Sequence, residues 1–400
     1  MAFEFIDQQL AQQNSQSRFR QRQCIVESKG TEITVDRKSY LNFSSNDYLG
    51  LNNHPLINKA MQEGMDRFGL CATGSPLITG HSYAHQALES TLCTWLNKPH
   101  CLLYNSGFAA NSGVLQALGS QASAATPCNF WLDKLSHASL IDGAFSSKAK
   151  VKRFKHNDTV QLSQWLEKSH LKSTASNHAN SANQSTHDNN LIISEGVFSM
   201  DGDQAPIAKL SQLSQQYNAC LYIDDAHSIG IVGNQGQGSV SQGAVDIVMA
   251  TFGKALATSG AFVACEKNVF EYLVNFSRHY IYSTAISPAL AWATQQSILL
   301  AQQEQWRRDK VSELSHLLAS QLNENITLLP TSSSIHALVI GDEKKSLRVS
   351  EKLKEQGIWL SAIRPPTVPK GTSRLRVTIC ASHNESDINY LAKKLNETLL

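Results

Sequence analysis

The sequence predicts an α/β protein: a large domain with a mainly parallel sheet covered by helices, followed by a smaller α+β C-terminal domain. Three observations predict it. Short apolar runs of strand length recur at 101–104, 130–132, 191–194, 221–223, 246–251 and 261–265. Helical stretches such as 81–97, 108–118 and 207–217 separate them, as crossover helices separate parallel strands. After Pro288 the texture changes to one long helical run, 289–322, then short strands at 335–340 and 374–378 with helices at 345–356 and 385–399.

The domains expected are therefore 51–287 for the large one and 288–400 for the small one, with residues 1–50 joining the small domain. One stretch, 169–190, is dense in Ser, Asn, Ala and His without an apolar period. It is expected to be a mobile surface insertion. Its three histidines, His170, His178 and His187, are too irregularly spaced to predict a metal site, and no metal is expected anywhere.

Composition narrows the class. The chain has 400 residues, 42% of them hydrophobic, enough for a sizeable core. Thirty-five Lys and Arg against 33 acidic residues leave a net charge of +2, which gives no reason to expect a nucleic acid or an anionic membrane as partner. Eight cysteines lie scattered with no C-x-x-C pair, as in a reducing compartment. The opening MAFEFIDQQLAQQ has no basic segment before an apolar one, and no apolar run reaches membrane-spanning length. A cytoplasmic protein is expected.

The chemistry-bearing residues gather at strand ends. LYIDDAH puts Asp224 at the carboxyl end of a strand and His227 just beyond it. The 246–251 strand ends in Thr251 and releases Lys254 into the next loop. An Asp, a His and a Lys thus converge on the edge where ligands bind in α/β sheets. Pyridoxal phosphate needs such a set: an amine for its aldehyde, a carboxylate for its pyridine nitrogen, and a donor for its ring hydroxyl. Taken alone, the Asp-Asp pair fits a metal or helix-cap motif equally well. Three more strand ends point the same way. Asn105-Ser106-Gly107-Phe108 opens a helix whose glycine lets backbone N–H groups approach a phosphate. His137 follows the 130–132 strand and is placed to lie on a cofactor ring. Glu195 to Gly202 follows the 191–194 strand and delivers a carboxylate and the Ser199 hydroxyl.

With these motifs assembled, the chain resembles the α-oxoamine synthase family of the fold-type I pyridoxal-phosphate-dependent transferases. The motifs are LNFSSNDYLGL (41–51), NSGFAAN (105–111), DKLSHASL (133–140), SEGVFSMDGD (194–203), YIDDAH (222–227), TFGKALATSG (251–260), YIYSTAISP (280–288) and SAIRPPTVPKGTSRLRVT (361–378). The resemblance implies pyridoxal 5'-phosphate as cofactor, with Lys254, Asp224, His227 and His137 as catalytic residues. Lys254 would carry the cofactor as a Schiff base, Asp224 would pair with its ring nitrogen, His227 and Ser199 would contact the ring hydroxyl, and His137 would stack on the ring. Gly107, Phe108 and Thr251 would bind the phosphate, helped by Ser283 and Thr284 from the other subunit of a homodimer.

Arg364 would take the amino-acid carboxylate, with Asn46, while Arg20 and Thr367 would contact the acyl substrate. Arg-Pro-Pro-Thr-Val-Pro (364–369) favours the branch that condenses L-alanine with a pimeloyl thioester, on coenzyme A or an acyl-carrier protein, in biotin biosynthesis. Glycine C-acetyltransferase and 5-aminolevulinate synthase are the alternatives within the family. Ser-Ile-Gly after His227, where relatives have Gly-Thr-Gly, bears on acyl preference and leaves the cofactor chemistry untouched.

Two readings from other classes compete. Gly80-His81-Ser82-Tyr83-Ala84 resembles the G-x-S-x-G elbow of serine hydrolases, and His81 with His85 has the i, i+4 spacing that can hold zinc. A cofactor-binding scaffold without activity would be the outcome had the lysine been lost; Lys254 is present.

Overall fold

The computed structural model describes residues 3–123, 126–179 and 189–399. The chain forms two compact units, one of residues 51–198 and 204–305, the other of 1–50, 199–203 and 306–400. The division after residue 305 falls later than the 287/288 boundary expected. The cause is helix Pro288–Gln303, which packs on helices Pro55–Phe68 and Tyr83–Leu96 and so belongs to the larger unit. Gly64 is what lets it pack so closely, since a Cβ there would lie 2.8 Å from the Ala289 Cα. The predicted run 289–322 is accordingly two helices, Pro288–Gln303 and Gln305–Gln321, that fall mainly in different units.

The smaller unit begins with a helix, Phe5–Ser15, and three antiparallel strands, β1 (Ile25–Lys29), β2 (Glu32–Val35) and β3 (Lys38–Asn42). The larger unit carries a seven-stranded sheet built from β4 (His100–Tyr104), β5 (Cys128–Asp133), β6 (Lys150–Phe154), β7 (Asn189–Glu195), β8 (Cys220–Asp224), β9 (Ile247–Thr251) and β10 (Ala261–Cys265). Its order is β4-β10-β9-β8-β7-β5-β6, parallel from β9 through β6, with β10 antiparallel to both neighbours. The six predicted strands are all present, and the sheet is mainly parallel as expected.

Two apolar layers sandwich this sheet. Leu102, Val114, Phe130, Ile193 and Tyr222 belong to one, and Trp131, Leu166, Ile192, Leu221 and Val248 to the other. Neighbouring residues of one strand go to opposite layers, so each central strand is buried on both faces and reads as continuously apolar.

The smaller unit closes with β11 (Ile335–Gly341), β12 (Ile358–Trp359), β13 (Ala362–Ile363) and β14 (Ser373–Thr378). β12 pairs parallel with β3, which ties the N-terminal segment to the C-terminal part, while β11, β14 and β13 make a separate antiparallel sheet. Helices Glu343–Glu355 and Glu385–Leu399 contribute Val349, Leu353, Ile388, Leu391 and Leu395 to its core.

Of the stretch 169–190, the first part continues helix Thr159–Ala179, β7 starts at Asn189, and 180–188 lie outside the described residues. His170 sets its ring edge-on to Tyr217, while the His178 side chain and His187 lie outside the description. No helix among the described residues is long and apolar enough to cross a membrane.

Candidate active site

Parallel strands send all their carboxyl ends to one edge of the sheet, and here those ends are polar. β5 ends in Asp133, β7 in Glu195, β8 in Asp224 and β9 in Thr251. Glu195 and Asp224 are register partners, so two carboxyl groups stand side by side. Just beyond the strand ends lies a cavity of about 210 Å³, walled by Lys254, His227, His137 and Asp224 on its reactive side. Gly107, Phe108 and Thr251 wall another side. All seven of these residues were predicted for the site, from four separate segments of sequence, and the fold brings them together.

Lys254 Nζ lies 2.8 Å from His227 Nε2. Asp224 is buried; its Oδ1 accepts from the Ala226 N–H at 2.9 Å and its Oδ2 from Asn111 Nδ2 at 2.7 Å. Hydrogen bonds to both oxygens favour the charged carboxylate. The His137 imidazole is held below its ordinary range, chiefly by burial, against the opposing pull of the Asp224 charge. Glu195 is pushed well above the usual carboxylate range by burial and then by Asp224; its Oε1 accepts the His137 N–H at 2.6 Å.

The phosphate end has its own logic. Helix Gly107–Gly119 is capped by Ser106, whose hydroxyl accepts from the Ala109 N–H at 3.1 Å. The first N–H groups of a helix lack acceptors within it and carry partial positive charge, so they suit an anion. Gly107 is required by close approach, since a Cβ there would sit 2.5 Å from Thr251 Cγ2. Thr251 Oγ1 is buried and has no hydrogen-bond partner among the described residues, an orphan that a phosphate oxygen would satisfy. An amine, a buried carboxylate, a flat ring and a helix N-terminus with a spare hydroxyl fit pyridoxal phosphate from one end to the other.

Other predicted residues lie elsewhere. Ser283 is half-buried and Thr284 exposed; the Thr284 carbonyl accepts from Asn105 Nδ2 at 2.8 Å, and neither residue lines the Lys254 cavity. Ser199, Asn46, Arg20, Arg364 and Thr367 belong to the smaller unit. There Arg20 Nη2 donates to Thr367 Oγ1 at 3.2 Å, and both line a second cavity of about 290 Å³ with Arg18 and Arg364. Arg364 donates through Nη1 to the Ser17 carbonyl. Its Nε is buried without a partner among the described residues. Asn46 Oδ1 accepts from both Nη atoms of Arg376 at 3.1 Å, and Arg376 Nε donates to the Ser199 carbonyl at 2.6 Å.

Three polar residues that line the Lys254 cavity were given no place in the predicted site, Asn111, Ser139 and Glu195, although Glu195 stands in the segment expected to bring a carboxylate to this edge. Each stands inside a motif quoted above. The available signal was a polar residue on an otherwise apolar element, which must find a partner when buried.

The hydrolase elbow dissolves in the fold. Ser82 follows the helical turn Pro76–Gly80 rather than a strand, and it caps helix Tyr83–Leu96. Its N–H donates to His85 Nδ1 at 3.1 Å, and its Oγ lies 2.8 Å from that nitrogen. The buried His85 ring spends Nε2 on the Ile286 carbonyl at 2.9 Å, which makes this pair a helix cap. His81 pairs with Glu89 at 2.9 Å. Among the described residues, no group of three His, Cys, Asp or Glu side chains is placed to hold a metal ion.

A mainly parallel sheet with a lysine, an aspartate and a phosphate cradle on its carboxyl edge defines a class, the aminotransferase-type enzymes of pyridoxal phosphate. The model of the aminotransferase class I and II family matches residues 38–395. The 8-amino-7-oxononanoate synthase of Photobacterium profundum is 43% identical over 98% of this chain and 95% of its own length. That of Vibrio vulnificus is 40% identical over 98% and 97%. Among solved structures, a serine palmitoyltransferase with its pyridoxal phosphate superposes with a TM-score of 0.86 at 25% identity, over 99% of this chain and 97% of that one. The chain belongs to the aminotransferase class I and II family and, within it, to the family of its 8-amino-7-oxononanoate synthase relatives.

Proposed function

We propose that this chain is a pyridoxal-phosphate-dependent acyltransferase that condenses L-alanine with a pimeloyl thioester, releasing 8-amino-7-oxononanoate, carbon dioxide and free thiol, a step of biotin biosynthesis. The observation that carries the chemistry is Lys254 Nζ lying 2.8 Å from His227 Nε2 in a cavity that the buried Asp224 also lines. The choice of substrates rests on the synthases to which the chain is 40–43% identical.

The bound cofactor supplies an electron sink conjugated to the alanine nitrogen. Asp224 keeps the ring nitrogen protonated, so that the sink is strong. Lys254 would hold the cofactor through its amine, and that amine is placed to serve as the base for the alanine Cα proton. His227 orients that amine and, with Ser199, attends the ring hydroxyl. His137 covers the ring face as a neutral imidazole. The Gly107 and Phe108 amides and the Thr251 hydroxyl hold the phosphate. Lys254 would take the Cα proton of alanine, a C–C bond would form at the thioester carbonyl as the C–S bond breaks and the thiolate leaves, and the carboxyl group would then be lost as carbon dioxide, with Lys254 returning a proton to Cα.

Arg364 with Asn46 takes the alanine carboxylate, and Arg20 with Thr367 takes the acyl chain. The unpartnered Arg364 Nε and the cluster of Arg18, Arg20 and Arg364 around one cavity support anion binding there. The enzyme works as a homodimer in the cytoplasm, with Ser283 and Thr284 completing the phosphate site across the interface. The eight free cysteines agree with a reducing compartment.

The test is a thioester panel assayed with L-alanine and with glycine, following free thiol. Alanine with pimeloyl-CoA should be preferred and Lys254→Ala should abolish turnover. More than a trace of activity in that variant would overturn the reading, and a preference for glycine with succinyl-CoA would move the chain to another branch of the family.

A further inference from the structure

We infer that Asn111, held by the Tyr222 hydroxyl, is a positioning residue that fixes the Asp224 carboxyl group in place and sets the tautomer of His137. The inference rests on the proposed function for the roles of those two groups, and on hydrogen-bond geometry for everything else.

Tyr222 and Asp224 stand two apart on β8 and so face the same side of the sheet. Helix Gly107–Gly119 lies on that side and carries Asn111 to it, where the residue is 1% exposed. The Tyr222 hydroxyl donates to Asn111 Oδ1 at 2.6 Å. That bond fixes which end of the amide is oxygen, and so directs the NH2 group the other way. Asn111 Nδ2 then donates to Asp224 Oδ2 at 2.7 Å and to Ser139 Oγ at 2.9 Å. Both of its protons are spent.

The direction of each bond determines the next. Ser139 Oγ accepts from the amide and so has its own proton to give to His137 Nδ1, 2.7 Å away. The Ser139 N–H reaches the same nitrogen at 3.2 Å. With two donors aimed at Nδ1, the ring is neutral and its proton sits on Nε2. A single amide thereby supplies one hydrogen bond to the carboxylate under the cofactor's ring nitrogen and sets the donor end of the imidazole over its face. If the amide were reversed, its oxygen would meet the Asp224 carboxylate, a repulsive contact in a buried site.

The near-isosteric Asn111→Leu removes both donors, and Tyr222→Phe removes only the hydroxyl that fixes their direction. The first readout is ¹⁵N NMR of histidine-labelled, cofactor-free protein, with the His137 signals identified by their loss in His137→Gln. Wild type should show the Nε2–H tautomer alone. Asn111→Leu should show a mixture of tautomers, and Tyr222→Phe an intermediate case. In turnover, Asn111→Leu should lower kcat by roughly 10- to 100-fold, the size expected for a buried charged acceptor losing a donor, with KM for alanine changed by less than about threefold. An unchanged His137 tautomer in both variants would overturn the inference, as would a KM effect larger than the kcat effect. Should Asn111→Leu not fold, Tyr222→Phe decides alone. Failure of the proposed function is seen separately, because the tautomer measurement needs neither cofactor nor substrate.

Discussion

Asp224 illustrates how much one side chain takes from its surroundings. Its position at the end of β8 follows from the strand, but its two carboxyl oxygens are held by the Ala226 N–H and the Asn111 amide. Asp224→Asn should retain the cofactor and lose at least ~100-fold in kcat, the cost of removing one preorganised charge from a dry site. Steady-state kinetics alongside a cofactor-binding titration checks this, and near-normal turnover would remove Asp224 from its role. The neighbouring Asp225 does different work. It accepts from the Ser239 N–H at 2.7 Å and from Ser239 Oγ at 2.5 Å, and burial raises its carboxyl to about 6. Two adjacent aspartates thus divide into one that faces the cavity and one that anchors the loop after His227. The sequence signal for the pair was identical at both positions, and only the strand's alternation separates them.

Helix Gly107–Gly119 shows why a short element serves an anion. Its N-terminus is aimed by β4, its cap is Ser106, and its inner face is apolar apart from Asn111 and Ser112. Ser106→Ala should cost about 1 kcal/mol of stability, the usual worth of an N-cap, and weaken cofactor binding beyond that by loosening the first turn. Denaturant unfolding with and without cofactor checks it; equal stability losses in both would show that the turn does not hold the phosphate. The buried strands of the large sheet were legible because both faces are covered, so that each carries an unbroken apolar run before its polar end. Strand β6 (KVKRF) was not, because it is the sheet's edge and shows mostly charged, exposed residues. Strands β1 to β3 were missed for a related reason: β1 is exposed along its whole length and β2 has only Ile33 and Val35 buried.

Two buried histidines make the smaller unit sensitive to acid. His336 is 3% exposed, and neither of its ring nitrogens has a partner among the described residues. Burial, helped by the His316 charge, lowers its pKa to about 4. His383 stacks on Phe43 at 4.4 Å, accepts the Cys380 N–H at Nδ1 and is likewise lowered to about 4, chiefly by burial. Both rings ionise more readily in the unfolded chain, with its ordinary value near 6.5. Their contribution is therefore complete above pH ~6.5 and is lost as pH falls toward 4, by roughly 2–3 kcal/mol for each ring. His336→Phe should flatten the pH dependence of unfolding free energy across that window. An unaltered slope would show that this ring is not the group that titrates.

The order of apolar runs was enough to predict an α/β fold, and the polar residues that end them, together with the family resemblance, pointed to a candidate pyridoxal-phosphate site around Lys254 and Asp224. That information is local: strand burial, helix caps and turn residues are written in neighbouring positions. What the sequence left open is set by contacts between distant segments. Folding decided that Pro288–Gln303 packs with the larger unit, that Ser82 and His85 form a cap rather than a nucleophile and its base, and that Asn111 joins Asp224 to His137. Such bonds link residues far apart in the chain, as His85 and Ile286, 201 positions apart, are. Their geometry depends on side-chain directions that exist only once the sheet is assembled.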